Sequence, residues 1–173
     1  MTKLSRRVAL ALGSNQGNRL ETLQGAVDAL AETDGVEIAA VSGVFETDPG
    51  GGPQQPDYLN AVVVVLTSLA ARELLGRAQE IEQRFGRVRG DRWGPRTLDV
   101  DIVAVGDELV DEPDLVVPHP RAAERAFVLL PWLDADPDAA LPGSGSIADL
   151  LTGLKTSGVR RRSDLSLHRE PTS

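Results

Sequence analysis

The chain contains no cysteine among its 173 residues. Disulfides, a thiolate nucleophile and a cysteine-bound zinc are therefore excluded, and we expect a reducing, cytoplasmic location. Aromatic residues make up only 3% of the chain, so the position of each one is informative. The apolar run at residues 8–12 is too short for the core of a signal peptide, and no run approaches the length of a membrane span.

Positive charge is also scarce, because 18 lysines and arginines face 26 aspartates and glutamates and the formal net charge is −8. This balance disfavours a general binder of nucleic acid or of anionic membranes. One segment is an exception, since Arg87, Arg89, Arg92 and Arg96 fall within ten residues. Such a local concentration of guanidinium groups predicts a small anionic ligand.

Two aspartates follow the arginines directly, in a segment whose pattern predicts a strand. Asp99 and Asp101 share one strand face, whereas the apolar residues around them share the other: Leu98, Val100 and Ile102. Their bases are separated by about 6.6 Å, which suits a pair of divalent cations about 3.5–4 Å apart. Ligands made only of oxygen favour magnesium. An exposed strand with charged decoration is the alternative, which the neighbouring arginines and Trp93 disfavour.

Hydrophobic periodicity predicts strands and helices in alternation along a single domain of residues 1–173. Strands are expected at residues 8–12, 36–45, 58–66 and up to about 105, and helices at 19–32 and 70–85. Asn18 is the predicted N-cap of the first helix, with Glu21 three residues on. Shorter elements are expected at 109–110, 115–117, 121–130 and 146–154, with breaks at Pro131, Pro137 and Pro142. Residues from about 160 to 173 are expected to form a loosely held tail.

The order of these elements matches the βαββαβ pattern of a ferredoxin-like α+β sandwich. Periodicity alone leaves a small doubly wound sheet open as an alternative. The loop at residues 46–57 contains three consecutive glycines and three prolines. A long loop of this composition is often functional.

Three segments together resemble one enzyme family. RWGPRTLDVDI, with GSNQGN near the start and QPDYLNAV in the middle, is similar to the 6-hydroxymethyl-7,8-dihydropterin pyrophosphokinases of folate biosynthesis. The resemblance runs from about residue 8 to about residue 133. It implies a ferredoxin-like core with additional C-terminal strands and helices, transfer of pyrophosphate from ATP to the dihydropterin, and two Mg²⁺ ions. ATP and the dihydropterin are then the expected partners, without nucleic acid or membrane, and a monomer is expected.

The resemblance also implies roles for individual residues. The metal ligands are Asp99 and Asp101, which with Arg87 and Arg96 form the expected catalytic set. The implied ATP site consists of Glu82, Arg87, Arg89, Arg92, Arg96, Ile102, His119 and Arg125. The implied pterin site consists of Thr47, Asp48, Gly50, Tyr58, Asn60, Trp93 and Phe127.

Each of these assignments competes with a structural role. His119, between two prolines, also fits a packed loop residue, and Glu82 fits an ordinary polar helix position. Tyr58 and Phe127 also fit aromatic residues of the core, and the GSNQGN segment fits a tight strand-to-helix turn rather than a phosphate loop.

The chain departs from familiar members at several positions. Asp48 and Gly50 stand where many relatives have apolar residues lining the pterin pocket, and Asp114 and Ala123 replace residues that are often polar or basic. These changes bear on affinity rather than on the reaction class.

Two other functions compete. One is a different enzyme with a DxD metal site, such as a nucleotide-sugar transferase, which the short chain and the WGPR step disfavour. The other is a non-catalytic ferredoxin-like module that binds RNA or a regulatory metabolite. An RNA-reading sheet needs exposed aromatic residues, and the AVVVVL strand has none.

Overall fold

The computed structural model describes residues 5–15, 17–47, 57–86 and 98–168. The helices are α1 (Arg19–Ala31), α2 (Ala71–Gly86), α3 (Ala126–Ala135) and α4 (Ile147–Thr152). The strands are β1 (Arg6–Ser14), β2 (Val36–Val41), β3 (Phe45–Thr47), β4 (Tyr58–Thr67), β5 (Asp99–Val105), β6 (Val110–Glu112), β7 (Leu115–Val117), β8 (Ala140–Leu141), β9 (Gly145–Ser146) and β10 (Val159–Arg161). None of the helices in this described part is long and apolar enough to cross a membrane.

A mixed α/β architecture is organised around one six-stranded antiparallel sheet in the order β10-β3-β4-β1-β5. Strand β2 pairs with the second half of β4, beside β3. Strand β4 is rich in β-branched residues and is buried along almost its whole length, as a central strand must be. Two small hairpins, β6–β7 and β8–β9, lie outside the sheet.

Each face of the sheet is covered by helices, which gives two apolar cores. Helices α1 and α2 bury the first core, where Leu10 of β1 and Leu74 of α2 are 0% and 1% exposed. Helices α3 and α4 bury the second core, in which Val62 of β4 packs with Leu129 and Trp132 of α3. Beside the start of α3, the first residues of β4 and β5 line an open cleft.

Several sequence predictions agree with these elements. Helices α1 and α2 lie within one residue of their predicted bounds, and the Asn18 side chain accepts a hydrogen bond from the backbone N–H of Glu21 at 3.2 Å. In β5, Val100 and Ile102 are buried in the first core, whereas Asp99 and Asp101 lie on the opposite face, as the alternation predicts.

The strand predicted at residues 36–45 is wrong as a single element, because the chain forms β2 and β3 with a break between them. At the break, the Ser42 hydroxyl accepts a hydrogen bond from the backbone N–H of Val62 at 2.9 Å, in place of a strand carbonyl. The backbone N–H of Gly43 turns away from the sheet and donates to the Asp134 carboxylate at 2.7 Å. A polar side chain thus competes with the ladder and ends β2.

The helix predicted at residues 121–130 also differs from the structure. A 3₁₀ turn occupies Ala122–Glu124, and α3 then runs through Pro131 instead of ending before it. Proline removes one helical hydrogen bond. Burial of the neighbouring Leu129 and Trp132, 0% and 5% exposed, holds this helix on the sheet despite that loss.

The expectation of a loosely held tail from about residue 160 is wrong for the residues up to 168. Strand β10 pairs with β3, and the backbone N–H of Arg162 donates to the Val44 carbonyl at 2.8 Å. Leu165 and Leu167 pack against the first core, and the backbone N–H of His168 donates to the Gln24 side chain at 2.8 Å. Arg160 and Arg161 of this segment stay exposed, but they pair with carboxylates elsewhere in the fold, which hold the segment in place.

Candidate active site

A cleft of about 380 Å³ opens on the second face of the sheet, next to the start of α3. Its floor comes from neighbouring strands in register, where Gly13 of β1 lies between Asn60 of β4 and Asp99 of β5. One row further along β5, Asp101 pairs with Ala11 of β1. Gly13 has no side chain and Ala11 has only a methyl group, so the β1 backbone stays uncovered here. The larger side chains of Asn60 on β4 and of Asp99 and Asp101 on β5 form the walls of the cleft.

One end of the cleft is acidic. Asp99 is half-buried and Asp101 is exposed, and both line the cavity. Their spacing of two residues along a strand corresponds to about 6.6 Å between backbone positions. Among the residues that the structure describes, no group of three or more His, Cys, Asp or Glu side chains is arranged to hold a metal ion. Within the described part of the chain, the carboxylates that line this end are those of Asp99 and Asp101.

Arg125 and His119, from the segment before α3, lie near the acidic end. Arg125, which directly precedes α3, lines the cleft, and its guanidinium carbon is 5.6 Å from the centre of the Phe127 ring. His119 is fixed by its backbone N–H, which donates to the Val103 carbonyl at 2.8 Å. Its Nδ1 accepts a hydrogen bond from the backbone N–H of Arg121 at 3.2 Å.

The protonation of His119 follows from these surroundings. Burial lowers the pKa of its imidazole below the ordinary value, Asp101 opposes that shift, and the charges of Arg125 and Arg121 add to it. At neutral pH the ring is therefore mainly neutral. With Nδ1 acting as an acceptor, the proton lies on Nε2, which is then a hydrogen-bond donor.

The other end of the cleft combines aromatic and amide groups. Tyr58 and Phe127 line it together with Thr47 and Asn60. The Asn60 side chain is buried, and its Nδ2 donates to the Thr47 hydroxyl at 3.0 Å and to the Phe45 carbonyl at 3.5 Å. Because the Thr47 oxygen accepts from Asn60, the hydroxyl can still donate its own hydrogen to a ligand. A flat, polar ring system can therefore stack on the aromatic side chains and form hydrogen bonds through its edge.

The phenol of Tyr58 remains protonated over the physiological range. Its burial, and secondarily the negative charge of Asp99, raise its pKa above the ordinary value. This coupling also shows that the aromatic end and the acidic end are electrostatic neighbours.

The structure separates the remaining predicted residues into two groups. Glu82 lies beside β5, where its carboxylate accepts a hydrogen bond from the backbone N–H of Val100 at 3.1 Å, between the two aspartates. The Ile102 side chain is buried in the first core, on the face away from the cleft, so it does not line the cleft. The others lie outside the described residues: Asp48, Gly50, Arg87, Arg89, Arg92, Trp93 and Arg96.

Sequence reasoning missed part of the cleft lining. Ala11, Leu12, Gly13 and Val128 line the cavity, and none was assigned to the site. Gly13 was interpreted as part of a turn, but it belongs to β1. The GSN segment held a usable signal, since a glycine at the end of a buried strand marks a close approach of another group.

A family model described as 7,8-dihydro-6-hydroxymethylpterin-pyrophosphokinase (HPPK) matches residues 9–137, which is most of the chain. The chain belongs to the HPPK family. Its members include the 2-amino-4-hydroxy-6-hydroxymethyldihydropteridine pyrophosphokinase of Pseudomonas aeruginosa, 43% identical over 155 residues, which span 90% of this chain and 96% of that protein. The protein of the same name from Mycobacterium tuberculosis is 45% identical over 149 residues, 80% of this chain and 77% of its own length.

Solved structures related to this HPPK chain show the fold alone. Wild-type Plasmodium falciparum HPPK-DHPS superposes with a TM-score of 0.68 at 15% identity, over 86% of this chain and 44% of the other. A triple mutant of that protein with pteroate gives a TM-score of 0.69 at 14% identity, over 91% and 46%. The HPPK chain described here thus spans less than half of those longer chains.

Proposed function

We propose that this chain transfers pyrophosphate from ATP to 6-hydroxymethyl-7,8-dihydropterin, a step of folate biosynthesis. Membership of the HPPK family and identities of 41–45% to named pyrophosphokinases support this assignment. The observation that carries it in the fold is one cleft with a carboxylate pair at one end and an aromatic–amide surface at the other. ATP is the co-substrate.

The acidic end fits magnesium, and two ions are part of the proposal. Asp99 and Asp101 supply oxygen ligands only, and Mg²⁺ typically takes one or two carboxylates and completes its shell with water and substrate phosphates. When bound, the metal supplies charge neutralisation at the phosphate oxygens and holds the triphosphate in place. The side chains contribute by keeping both carboxylates on one open strand face, above the small residues Ala11 and Gly13.

Cationic and donor groups beside the carboxylates fit the phosphates. Arg125 lines the cleft, and the neutral His119 presents an Nε2 donor near Asp101. The arginines Arg87, Arg89, Arg92 and Arg96 are proposed to complete this set, on the family resemblance. A guanidinium group can bind two phosphate oxygens at once, and its positive charge stabilises the negative charge that develops during transfer.

The pterin is proposed to lie at the aromatic end. Tyr58 and Phe127 offer faces to a flat heterocycle, while Asn60 and Thr47 offer hydrogen-bonding groups to its edge. Asn60 and Asp99 flank Gly13 across three strands, which places them about 10 Å apart. We propose that the bicyclic ring lies between them, with its hydroxymethyl group toward the acidic end.

The reaction forms a bond from the hydroxymethyl oxygen to the β-phosphorus of ATP and breaks the bond from that phosphorus to the α–β bridging oxygen. AMP leaves with that oxygen, and the hydroxyl proton passes to solvent. The side chains bind and orient the two substrates and stabilise charge through Arg125 and His119. Since a loose phosphoryl transition state needs little help from a base, alignment carries most of the catalysis.

The detailed fold type, the oligomeric state and the cellular location are also part of the proposal. The order of β1, α1, β2 with β3, β4, α2 and β5, with β1 between β4 and β5, supports a ferredoxin-like core with C-terminal additions. A single domain, a monomeric state, a cytoplasmic location and the absence of a nucleic-acid partner stay predictions.

Isotope labelling tests the reaction directly. The protein is incubated with magnesium, the dihydropterin and ATP labelled at the β-phosphate. The label should appear on the pterin, with unlabelled AMP as the co-product. Labelled ADP would show transfer of the γ-phosphoryl group alone and overturn the proposal. Failure to consume ATP, with a folded protein and both substrates present, would do the same.

A further inference from the structure

A cluster of ions lies on the side of β3 that faces away from the cleft. It consists of Arg19, Glu46, Asp57 and Arg160, and is called the Glu46 cluster below. The Glu46 side chain is only 14% exposed, and its carboxylate lies 3.1 Å from an Arg19 nitrogen and 3.4 Å from an Arg160 nitrogen. A further arginine, Arg162, approaches the same carboxylate at 3.2 Å.

The charges of this cluster are strongly interdependent. Burial alone would raise the pKa of Glu46, but the hydrogen bonds and charges of Arg19, Arg162 and Arg160 outweigh it and hold that pKa below the ordinary value. Removing one residue from a buried group of ions leaves the charges of the others without a neutralising partner. The residues of the cluster therefore depend on one another.

The cluster joins two segments that lead directly into the cleft. Arg19 donates both to the Glu46 carboxylate and to the Asp57 carbonyl, the latter at 2.7 Å. Arg160 contacts Glu46 and the Asp57 carboxylate, the latter at 3.0 Å. Both arginines therefore bridge the end of β3 to the start of β4.

The next residue along each segment belongs to the aromatic end of the cleft. Thr47 follows Glu46, Tyr58 follows Asp57, and these two residues face each other in the β3–β4 register. Strand β3 has only three residues, so its own ladder fixes it weakly. Strand β10 pairs with it on the open side, with Arg160 opposite Glu46.

We infer that the Glu46 cluster is a positioning device for the pterin end of the cleft, and that β10 supports substrate binding through it. By tying Glu46 to Asp57, the two arginines set the distance between Thr47 and Tyr58, and with it the hydrogen bond from Asn60 to Thr47. None of the cluster residues touches the substrate. The inference rests on the proposed function, because it assigns the pterin to this end.

A purely structural role predicts a different pattern of kinetics. Loosening the fold in general would lower the active fraction, and hence kcat, without favouring one substrate. Loosening only the wall formed by Thr47 and Tyr58 would weaken dihydropterin binding and leave ATP, at the acidic end, unaffected.

The test compares Arg160→Ala, Arg160→Lys and Glu46→Gln with the wild-type enzyme. Arg160→Ala and Glu46→Gln should raise KM for the dihydropterin about tenfold, since a misplacement of about 1 Å can cost about a hundredfold and the remaining arginines limit the displacement here. KM for ATP and kcat should stay within about twofold, and Arg160→Lys should recover part of the loss because it keeps the charge. Arg160 is 45% exposed, so its variants should fold even if Glu46→Gln does not.

Arg77→Ala is the matched control. Arg77 also pairs with a carboxylate, Glu80 at 3.4 Å, but on the exposed surface of α2, where both side chains are more than half exposed. Its loss should leave both KM values unchanged. Equal changes in both KM values for Arg160→Ala, or none, would overturn the inference.

A double-mutant cycle shows whether Arg160 acts through Asp57. Asp57→Asn combined with Arg160→Ala should raise KM for the dihydropterin no more than Arg160→Ala alone, because both remove the same bridge. Effects that multiply would show independent roles and refute the positioning argument.

Direct titration of the dihydropterin in the presence of a non-hydrolysable ATP analogue separates this inference from the proposed reaction. If the wild-type protein binds the dihydropterin but shows no turnover, the proposed reaction is refuted. If Arg160→Ala then binds the dihydropterin more weakly than wild type, the positioning role is still supported. A wild-type protein that binds no dihydropterin would overturn both.

Discussion

Gly13→Ala should weaken dihydropterin binding without destabilising the protein. A Cβ at this position would point into the cleft, 3.4 Å from the Asn60 amide oxygen and 3.8 Å from a Tyr58 ring carbon. These are ordinary van der Waals distances, so the folded chain accommodates the methyl group. Alanine is also favoured over glycine in a strand, by about 0.5–1 kcal/mol. We therefore expect an unchanged or slightly higher free energy of unfolding.

The loss of affinity follows from the same geometry. The methyl group covers the floor between Asn60 and Asp99, where the proposed ring must lie against the strand. A ring lifted from this floor loses its edge contacts with Asn60 and Thr47. Two hydrogen bonds at about 1 kcal/mol each correspond to about a thirtyfold rise in the dissociation constant. Gly13→Val should have a larger effect.

The assay pairs urea unfolding with steady-state kinetics in both substrates, and Gly76→Ala is the matched control. Position 76 lies in α2, where an added Cβ meets no atom within 4 Å. Gly76→Ala should stabilise the helix by up to about 1 kcal/mol and leave both KM values unchanged. If Gly13→Ala destabilised the fold while KM for the dihydropterin stayed at the wild-type value, the glycine would serve packing and our account of the cleft floor would be wrong.

Three further predictions concern the metal, the pH dependence and the core. Asp99→Asn and Asp101→Asn should each lower kcat at least about a hundredfold with little change in thermal midpoint; near-normal turnover in either would remove the metal role. Because the folded pKa of Glu46 is lowered, its contribution to stability is complete above the ordinary carboxyl pKa of about 4.3 and is lost as pH falls through the folded value. Urea unfolding from pH 7 down to 3 should therefore show a shallower decline for Glu46→Gln than for wild type, and parallel curves would contradict the shift. Leu10→Ala, at a fully buried position, should cost about 2–5 kcal/mol, and a loss below 1 kcal/mol by the same measurement would contradict the packing of the first core.

Local sequence patterns predicted most of the helices and strands, and they predicted the acidic half of the site. The 3.6-residue and 2-residue periods predicted α1, α2 and the two faces of β5, because burial of one face is encoded in neighbouring residues. The same alternation placed Asp99 and Asp101 together on the open face. The break between β2 and β3 was missed, since it depends on the hydroxyl of Ser42 meeting the distant backbone of Val62.

The family, the reaction class and the chemical types of the candidate residues could be read from the chain alone, because they reside in short segments such as RWGPRTLDVDI. Which residues share the cleft depends instead on how the whole chain folds. Gly13 became part of its floor through pairing with two strands, and Glu46 gained Arg160 as a partner from 114 residues away. Such contacts follow from strand order and packing, where the free energy depends on surfaces brought together by the whole chain. These contacts cannot be predicted from a local sequence pattern.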